Sequence, residues 1–154
     1  MEKFKIEVLP NKTISWWNSK RPKIDMDPPY QRKGRLWSDS DKAYLIDSIL
    51  NGFDIPKLYV ADFTWKDSAL NANNKMYSII DGKQRLESIF DFYDGKIALN
   101  DDFRYLANSA LPLAGLKFKD LSKEFPEVAD VFEQFNLTVV GVMTDDIEAI
   151  NELI

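Results

Sequence analysis

The residues best suited to chemistry form one short run, Asp81-Gly82-Lys83-Gln84-Arg85. Arg85 offers a planar, permanently charged group that can hold a phosphate through two hydrogen bonds. Gln84 can orient a water molecule or a base edge, and Asp81 can hold a metal ion or a hydroxyl group. Gly82 allows a sharp turn or the close approach of a ligand to the backbone. Together these residue types favour the binding of a phosphate group.

The sequence on either side of this run predicts how it is held. Residues 76–80 form an apolar, β-prone stretch, and apolar residues then recur at spacings of three and four: Leu86, Ile89, Phe90 and Tyr93. The chain therefore reads as strand, tight turn and helix. A helix N-terminus presents unpaired N–H groups and partial positive charge, which makes it an anion site. The alternative is an ordinary helix with Asp81 as its N-cap and with Lys83 and Arg85 in solvent.

Composition narrows the possible chemistry. The chain has 154 residues, about the size of one domain, and 45% of them are hydrophobic, enough to bury a core. It contains no cysteine and no histidine. This excludes disulfides, zinc sites with Cys or His ligands, Ser-His-Asp triads and histidine-dependent HNH nucleases. Any catalysis must use the remaining polar residue types, and a hard cation such as Mg²⁺ is the expected addition.

Charge and hydropathy bear on partners and location. No apolar run approaches the roughly 20 residues of a membrane span, and no signal-peptide region follows Met1, so we expect a cytoplasmic protein with no membrane partner. The net charge of −5 argues against a basic nucleic-acid binder overall. Residues 20–35 nevertheless carry six basic and two acidic side chains, a local net charge of +4. That segment can still meet phosphate.

A second candidate element, Tyr30-Gln31-Arg32, follows two prolines, Pro28 and Pro29. Prolines hold the chain extended, so these three side chains are expected on a stiff turn that suits contact with a ligand. The alternative is a surface turn with a solvated arginine.

The remaining elements are predicted from caps and periodicity. Residues 4–8 alternate as an edge strand, and Thr13 is the expected N-cap of a short helix. Ser38 and Asp41 predict a capping box for a helix that ends at Asn51-Gly52. Residues 58–63 are expected to form a strand, 66–75 a loop or hairpin tip, and 111–116 a connector.

The last third of the chain predicts a helix, a strand and another helix. Pro126 is expected at the first position of a helix with inward-facing Val128, Val131, Phe132 and Phe135. Residues 137–143 are expected to form one strand, and Thr144 to open a final helix. Because no helix stop follows, we expect one domain over 1–154 that is cut at its C-terminal end and belongs to a longer protein.

Three motifs in order resemble one family, namely Pro29-Tyr30-Gln31-Arg32 with Leu36-Trp37-Ser38, residues 45–52 with Ile55-Pro56, and Ile80-Asp81-Gly82-Lys83-Gln84-Arg85-Leu86. The chain resembles the N-terminal domain of GmrSD-type, modification-dependent (type IV) restriction endonucleases. That family is similar in turn to the ParB and sulfiredoxin superfamily. The resemblance implies an α+β fold in which helices flank a small mixed sheet with a strand–turn–helix nucleotide pocket.

The resemblance also implies a function. The full-length family is expected to bind and hydrolyse a nucleoside triphosphate with Mg²⁺, to cut DNA and to act in anti-phage defence. Carried over by residue, Asp81, Gln84 and Arg85 are the catalytic candidates, and Asp81 is also the metal candidate. The nucleotide-binding candidates are Tyr30, Gln31, Arg32, Gly82, Lys83 and Arg85. DNA is the expected partner of the full-length protein, together with a second copy of the chain or a C-terminal nuclease domain.

The sequence departs from the family pattern in two places. Lys83 stands where the family usually has glutamine; it adds positive charge near the phosphates but leaves the hydrolytic role of that position open. In the family, the helix that begins near Thr144 typically continues into a Phe-x-Arg-x-Asn segment and a further helical region, sometimes with an HNH nuclease domain, and none of these is in the sequence. The chain is therefore expected to be the nucleotide-binding part of a larger protein.

Two alternatives come from other function classes. A metal-dependent nuclease would use Asp81 and Lys83 with Asp62 or Asp67 as the upstream carboxylate, although the same tripeptide recurs at Asp94-Gly95-Lys96, where it reads as a helix C-cap. A non-catalytic module that senses DNA or a protein partner would use the basic 20–35 segment beside Trp16, Trp17 and Trp37. A dimer interface, or simply a core, would explain the same tryptophans.

Overall fold

The computed structural model of the chain describes residues 4–30, 36–64 and 67–153. Within these ranges seven strands occur: β1 Phe4–Val8, β2 Lys12–Thr13, β3 Ile24–Asp25, β4 Leu58–Asp62, β5 Tyr77–Asp81, β6 Asn136–Leu137 and β7 Val139–Thr144. Five of them form one mixed sheet in the order β1-β7-β4-β5-β3, and β2 pairs with β6. The β1/β7 and β4/β5 pairs are antiparallel, and the β3/β5 and β4/β7 pairs are parallel. The expected α+β class with a mixed sheet is confirmed.

The described residues form six α-helices: α1 Ile14–Ser19, α2 Asp39–Leu50, α3 Lys83–Tyr93, α4 Phe118–Glu124, α5 Pro126–Glu133 and α6 Ile147–Leu153. Two begin at the expected caps. The Thr13 hydroxyl accepts a hydrogen bond from the Trp16 amide, and Ser38 and Asp41 form a reciprocal capping box. Such caps satisfy N–H groups that have no partner inside the helix. No helix among the described residues is long and apolar enough to cross a bilayer.

The main core lies between one face of the sheet and helices α1, α2, α3 and α5. Strand residues such as Val60 and Ile79 pack there against Ile46 of α2, Ile89 of α3 and Phe132 of α5, all at most 1% exposed. The period of two in the strands and of 3.6 in the helices brings these side chains to one layer. This layer fixes α3 on the sheet and therefore fixes its N-terminus at the end of β5.

A smaller cluster covers the other face of the sheet. There Ile80 and Val142 pack against Tyr30 and Ile150 of α6. Ile79 and Ile80 are neighbours in sequence and point to opposite faces, as the alternation of a strand requires. The unbroken apolar run in β5 is therefore explained by burial on both sides.

Helices α2 and α3 are also tied together by charge. Lys42 of α2 donates to Glu87 and Asp91 of α3 at 2.9 and 2.8 Å. Burial alone would lower the pKa of Lys42, but the hydrogen bonds from its ammonium group to the two carboxylates prevail, and its pKa is raised. This pairing holds the two helices in register beside the sheet.

Two expectations in the last third of the chain are wrong, and one helix was missed. Val131 is 38% exposed, because the buried face of α5 is formed by Val128, Ala129 and Phe132. The expected strand over 137–143 is interrupted at Thr138, since Leu137 pairs with Lys12 in the small sheet whereas Val139 starts the pairing with β4. Helix α4 was not expected at all, because its seven residues, Phe118–Glu124, are too short to show a helical period.

Candidate nucleotide-binding site

The turn at Gly82 connects β5 to α3. Gly82 has φ 102° and ψ 17° and is itself the N-cap, so the alternative expectation of Asp81 as N-cap is wrong. Asp81 is the last residue of β5 and pairs with Tyr59. A Cβ atom on Gly82 would lie 2.3 Å from Leu58 Cδ2 and 3.0 Å from a terminal nitrogen of Arg85. Glycine is therefore required both by the left-handed backbone and by the space.

Arg85 folds back over this turn. Its terminal Nη2 donates to the Lys57 carbonyl at 2.7 Å, and its Nε is buried without a hydrogen-bond partner among the described residues. Burial lowers the pKa of Arg85, and the nearby charge of Asp81 acts in the opposite direction. A guanidinium group nevertheless stays charged at neutral pH. The arginine thus holds a partly buried positive charge beside the start of α3.

Lys83 and Gln84 connect α3 to two other segments. The Lys83 ammonium group pairs with the carboxylate of Asp27, whose side chain is 76% exposed. The Gln84 Oε1 accepts a hydrogen bond from the Trp37 amide at 3.3 Å. Asp27 precedes the Pro28-Pro29 pair, and Trp37 precedes the cap of α2, so the first turn of α3 contacts both flanks of residues 28–36.

Gln31 and Arg32 lie outside the described residues. On either side of them, Asp27 forms an ion pair with Lys83, and the Trp37 amide donates a hydrogen bond to Gln84. The roles expected for Gln31 and Arg32 stay predictions.

Tyr30 belongs to the smaller cluster on the sheet face opposite the main core. It is 5% exposed, packs in the smaller cluster with Ile80, and donates its hydroxyl to the Leu70 carbonyl at 3.2 Å. Burial raises its pKa. In this structure Tyr30 is a packing residue, and its expected contact with a nucleotide stays a prediction.

One of the two upstream carboxylates expected for a nuclease site, Asp62, is not brought to Asp81. Asp62 lies opposite Tyr77 in the β4/β5 pair, whereas Asp81 lies opposite Tyr59. Four residues of strand separate the two positions, about 13 Å. No group of three or more acidic side chains among the described residues is arranged to hold a metal ion. Asp62 therefore cannot share a metal ion with Asp81. The second Asp-Gly-Lys sequence begins at the C-cap of α3, Asp94-Gly95, as expected.

The structure also identifies contributors that sequence reasoning missed. Asp27, the Trp37 amide and the Lys57 carbonyl each bind one side chain of the Lys83–Arg85 run. Two of these three groups belong to the backbone and leave no signal in the residue types. The third, Asp27, was visible only as an acidic residue in a basic segment.

The geometry defines a class of domain in which a strand, a glycine turn and a helix present Arg85 and a helix N-terminus at one edge of a mixed sheet. Residues 15–152 match the family model described as the N-terminal domain of the GmrSD restriction endonuclease. Since this match spans nearly the whole chain, the chain belongs to the GmrSD N-terminal domain family. No curated protein and no solved structure gives a significant match.

Proposed function

We propose that the chain binds a nucleoside triphosphate with Mg²⁺ at the N-terminus of α3, as the nucleotide-binding part of a DNA restriction protein that acts in anti-phage defence. The observation that supports this most is Arg85, whose buried Nε has no partner among the described residues and whose guanidinium lies over the Gly82 turn. A buried donor without a partner is costly, and a phosphate oxygen is the acceptor that suits it.

The phosphates would meet two kinds of donor in this site. The N–H groups of the first turn of α3 provide neutral donors and the positive end of the helix dipole. Arg85 and Lys83 provide charge. Lys83 would leave the exposed Asp27 carboxylate and bind phosphate instead. Losing the Asp27 pair costs little free energy, because exposed ion pairs contribute little to stability.

The catalytic roles follow from position. Phosphoryl transfer depends mainly on positioning and charge stabilisation. Asp81, at the end of β5, would hold Mg²⁺, and Gln84 would orient the attacking water. Arg32 would close over the nucleotide from the stretch whose two ends contact Lys83 and Gln84. This strand–turn–helix arrangement is also the basis for proposing a ParB- and sulfiredoxin-like nucleotide pocket, with DNA as the partner of the full-length protein.

The test is calorimetric titration of the chain with ATP, GTP, CTP and UTP in the presence of Mg²⁺. Arg85→Ala should weaken binding about tenfold or more, since a charged hydrogen bond contributes about 1.5–3 kcal/mol. Arg21→Ala is the matched control, because Arg21 binds Asp94 at the other end of α3 with distances of 2.6 and 2.8 Å. Equal affinity in Arg85→Ala and the unaltered chain, or an equal loss in Arg21→Ala, would contradict the proposal.

A further inference from the structure

Strand β1 forms one edge of the main sheet. Among the described residues its only neighbour in the sheet is β7, and the pairing runs without a break from Phe4 opposite Thr144 to Val8 opposite Val140. All five residues of β1 are exposed. The outer side of such an edge strand presents a row of backbone N–H and C=O groups that can pair with another strand.

The hydrogen bonds to β7 determine which backbone groups of β1 point outward. The Leu9 amide donates to the Val139 carbonyl at 2.9 Å, in the position that continues the β1/β7 register. Backbone groups of successive residues point to alternate sides of a strand, so the odd-numbered residues face β7. The N–H and C=O groups of Phe4, Ile6 and Val8 therefore point away from the sheet.

The same three residues carry the exposed apolar side chains of this edge. Phe4, Ile6 and Val8 are 40%, 45% and 60% exposed. Ile6 lies opposite Val142, which belongs to the smaller cluster, so the alternation of a strand places all three side chains on that face of the sheet. An apolar row along an edge strand favours association with another strand.

The other face of β1 carries two opposite charges. Lys5 and Glu7 pair at 3.4 Å, with 47% of each side chain exposed, so their charges roughly cancel. They line an open cavity of about 410 Å³ at the Tyr77 end of β5, to which Trp16 and Asp62 also contribute. This face of β1 therefore borders open space.

We propose that β1 pairs antiparallel with β1 of a second copy of this chain, related by a two-fold axis through Ile6. In this register Phe4 lies opposite the second copy's Val8, and Ile6 lies opposite its own counterpart. Each of these residue pairs exchanges two hydrogen bonds, so the outward backbone groups of β1 all find partners. A two-fold axis uses the same surface on both copies, and a strand that pairs with itself meets this requirement.

The charges of β1 select this register over its neighbours. With the axis at Ile6, each Lys5 lies opposite the second copy's Glu7, which is an attractive cross-strand pair. Moving the axis to Lys5 would place two lysines opposite each other, and moving it to Glu7 would do the same with two glutamates. Within β1, either shift would also leave one outward residue of each copy unpaired.

The pairing would join the sheets of the two copies. Opposite residues of a ladder share a face, so the main cores of both copies would lie on one side of the joined sheet. The two-fold axis would place the two Gly82 turns at opposite ends of it. The inference does not depend on nucleoside triphosphate binding at α3, since the proposed interface and that site share no residue.

The test is sedimentation velocity of the full chain over about 5–500 µM, because small interfaces give weak complexes. The unaltered chain should pass from monomer to dimer within this range. Lys5→Glu and Glu7→Lys each place like charges in both cross-strand pairs, and each should weaken dimerisation about tenfold or more. An equimolar mixture of the two variants should dimerise again, because every ammonium group then faces a carboxylate.

The mixture and one further variant control this test. Recovery in the mixture shows that both single variants are folded. Lys119→Glu, on α4, changes the net charge as Lys5→Glu does and should leave dimerisation unchanged. A chain that stays monomeric throughout the range, single variants that dimerise like the unaltered chain, or a mixture that stays monomeric would overturn the proposal.

Cysteine cross-linking tests the register directly, because the chain contains no cysteine of its own. Ile6→Cys places two thiols opposite each other, at a Cα separation of about 5.5 Å that a disulfide can span. Val8→Cys is the matched control, since its two thiols would lie four residues apart along the ladder, about 13 Å. Under mild oxidation Ile6→Cys should form a disulfide-linked dimer about tenfold faster or more. Equal rates, or a faster reaction of Val8→Cys, would contradict the two-fold axis at Ile6.

Discussion

At the Asp81 end of β5 the charged side chains are held by the chain itself, whereas at the Tyr77 end the polar groups surround an open cavity. Lys83 and Gln84 each contact a neighbouring segment, and Arg85 contacts the Lys57 carbonyl. Asp62, in contrast, uses one oxygen on its own turn. The phosphate proposed at the first end would replace the Lys83–Asp27 pair and give Arg85 Nε a partner, whereas the cavity at the second end is open. The arrangement of the first end therefore depends on the Gly82 turn, and that of the second end on side chains such as Asp62.

The largest expected effect tests the backbone geometry of the first end. Gly82→Ala should lower the free energy of unfolding by about 2–5 kcal/mol, since it combines a positive φ with a clash on Leu58. Gly95→Ala is the matched control: it has φ 74° with no atom within 4 Å, so only the backbone cost of about 1 kcal/mol remains. Urea unfolding measures both. A loss in Gly82→Ala no larger than in Gly95→Ala would show that the close packing at this end is not required.

The stabilities of variants at the two ends must be compared at one pH, because Asp47 of α2 titrates within the usual working range. Burial raises the pKa of Asp47 to about 6 from a usual 3.8, opposed by a hydrogen bond from Asn100 and supported by the charge of Asp102. The folded chain therefore binds this proton more tightly than the unfolded chain. The contribution of Asp47 to stability is fully present below about pH 4 and is lost as the pH rises through about 6.

Asp47→Asn removes this pH dependence. From pH 4 to pH 7 the variant should gain about 1–2 kcal/mol of stability relative to the unaltered chain, a value reduced for partial exposure. Urea unfolding at the two pH values measures the difference. A constant difference between the two chains would mean that Asp47 does not titrate in this range.

An effect of similar size is expected at the cavity end. Asp62→Ala removes the acceptor for the Thr64 amide and hydroxyl and should cost about 1–2 kcal/mol of unfolding free energy. Asp62→Asn keeps an oxygen at that position and should cost less than Asp62→Ala. Thermal or urea unfolding compares the two variants. Equal losses would show that Asp62 stabilises the fold through its charge and not through this turn.

The smallest effect concerns the ion pair at the first end. Lys83 is paired with the exposed Asp27, so Asp27→Asn should change stability by less than about 1 kcal/mol. It should also free Lys83 for phosphate and tighten triphosphate binding about two- to fivefold. Lys83→Gln should act in the opposite direction. If calorimetry shows both variants weakening binding, Asp27 is part of the site and not a competitor of the ligand.

The first end could be predicted from sequence because its residues are neighbours in the chain. The β-prone run, the glycine and the helical period lie within residues 76–94, and local patterns also gave the capping box at Ser38 and the start of α5 at Pro126. Each of these signals is a local property of the backbone. These local signals could not predict the partner of each side chain. Asp27 lies 56 residues from Lys83, and Lys57 lies 28 residues from Arg85.

The second end could not be predicted because no local pattern contains it. The cavity is lined by residues that are distant in sequence, among them Trp16 and Asp62. Trp16 belongs to α1 and Asp62 to β4, so only the tertiary fold brings the two residues to one cavity. The sequence favoured Trp16 and Trp17 as core and interface residues, which holds for Trp17 at 2% exposure.

The β4–β5 hairpin also determines where the chain can gain or lose residues during evolution. Its two strands are joined by the segment 63–76, which lies beyond both strand ends. Lengthening such a loop costs little, because the entropy of closure grows only slowly with length. A single residue inserted within β5 would instead exchange the positions of Ile79 and Ile80, and so turn each toward the wrong core. Length variation among relatives should therefore collect at the hairpin tip, while β5 keeps its length.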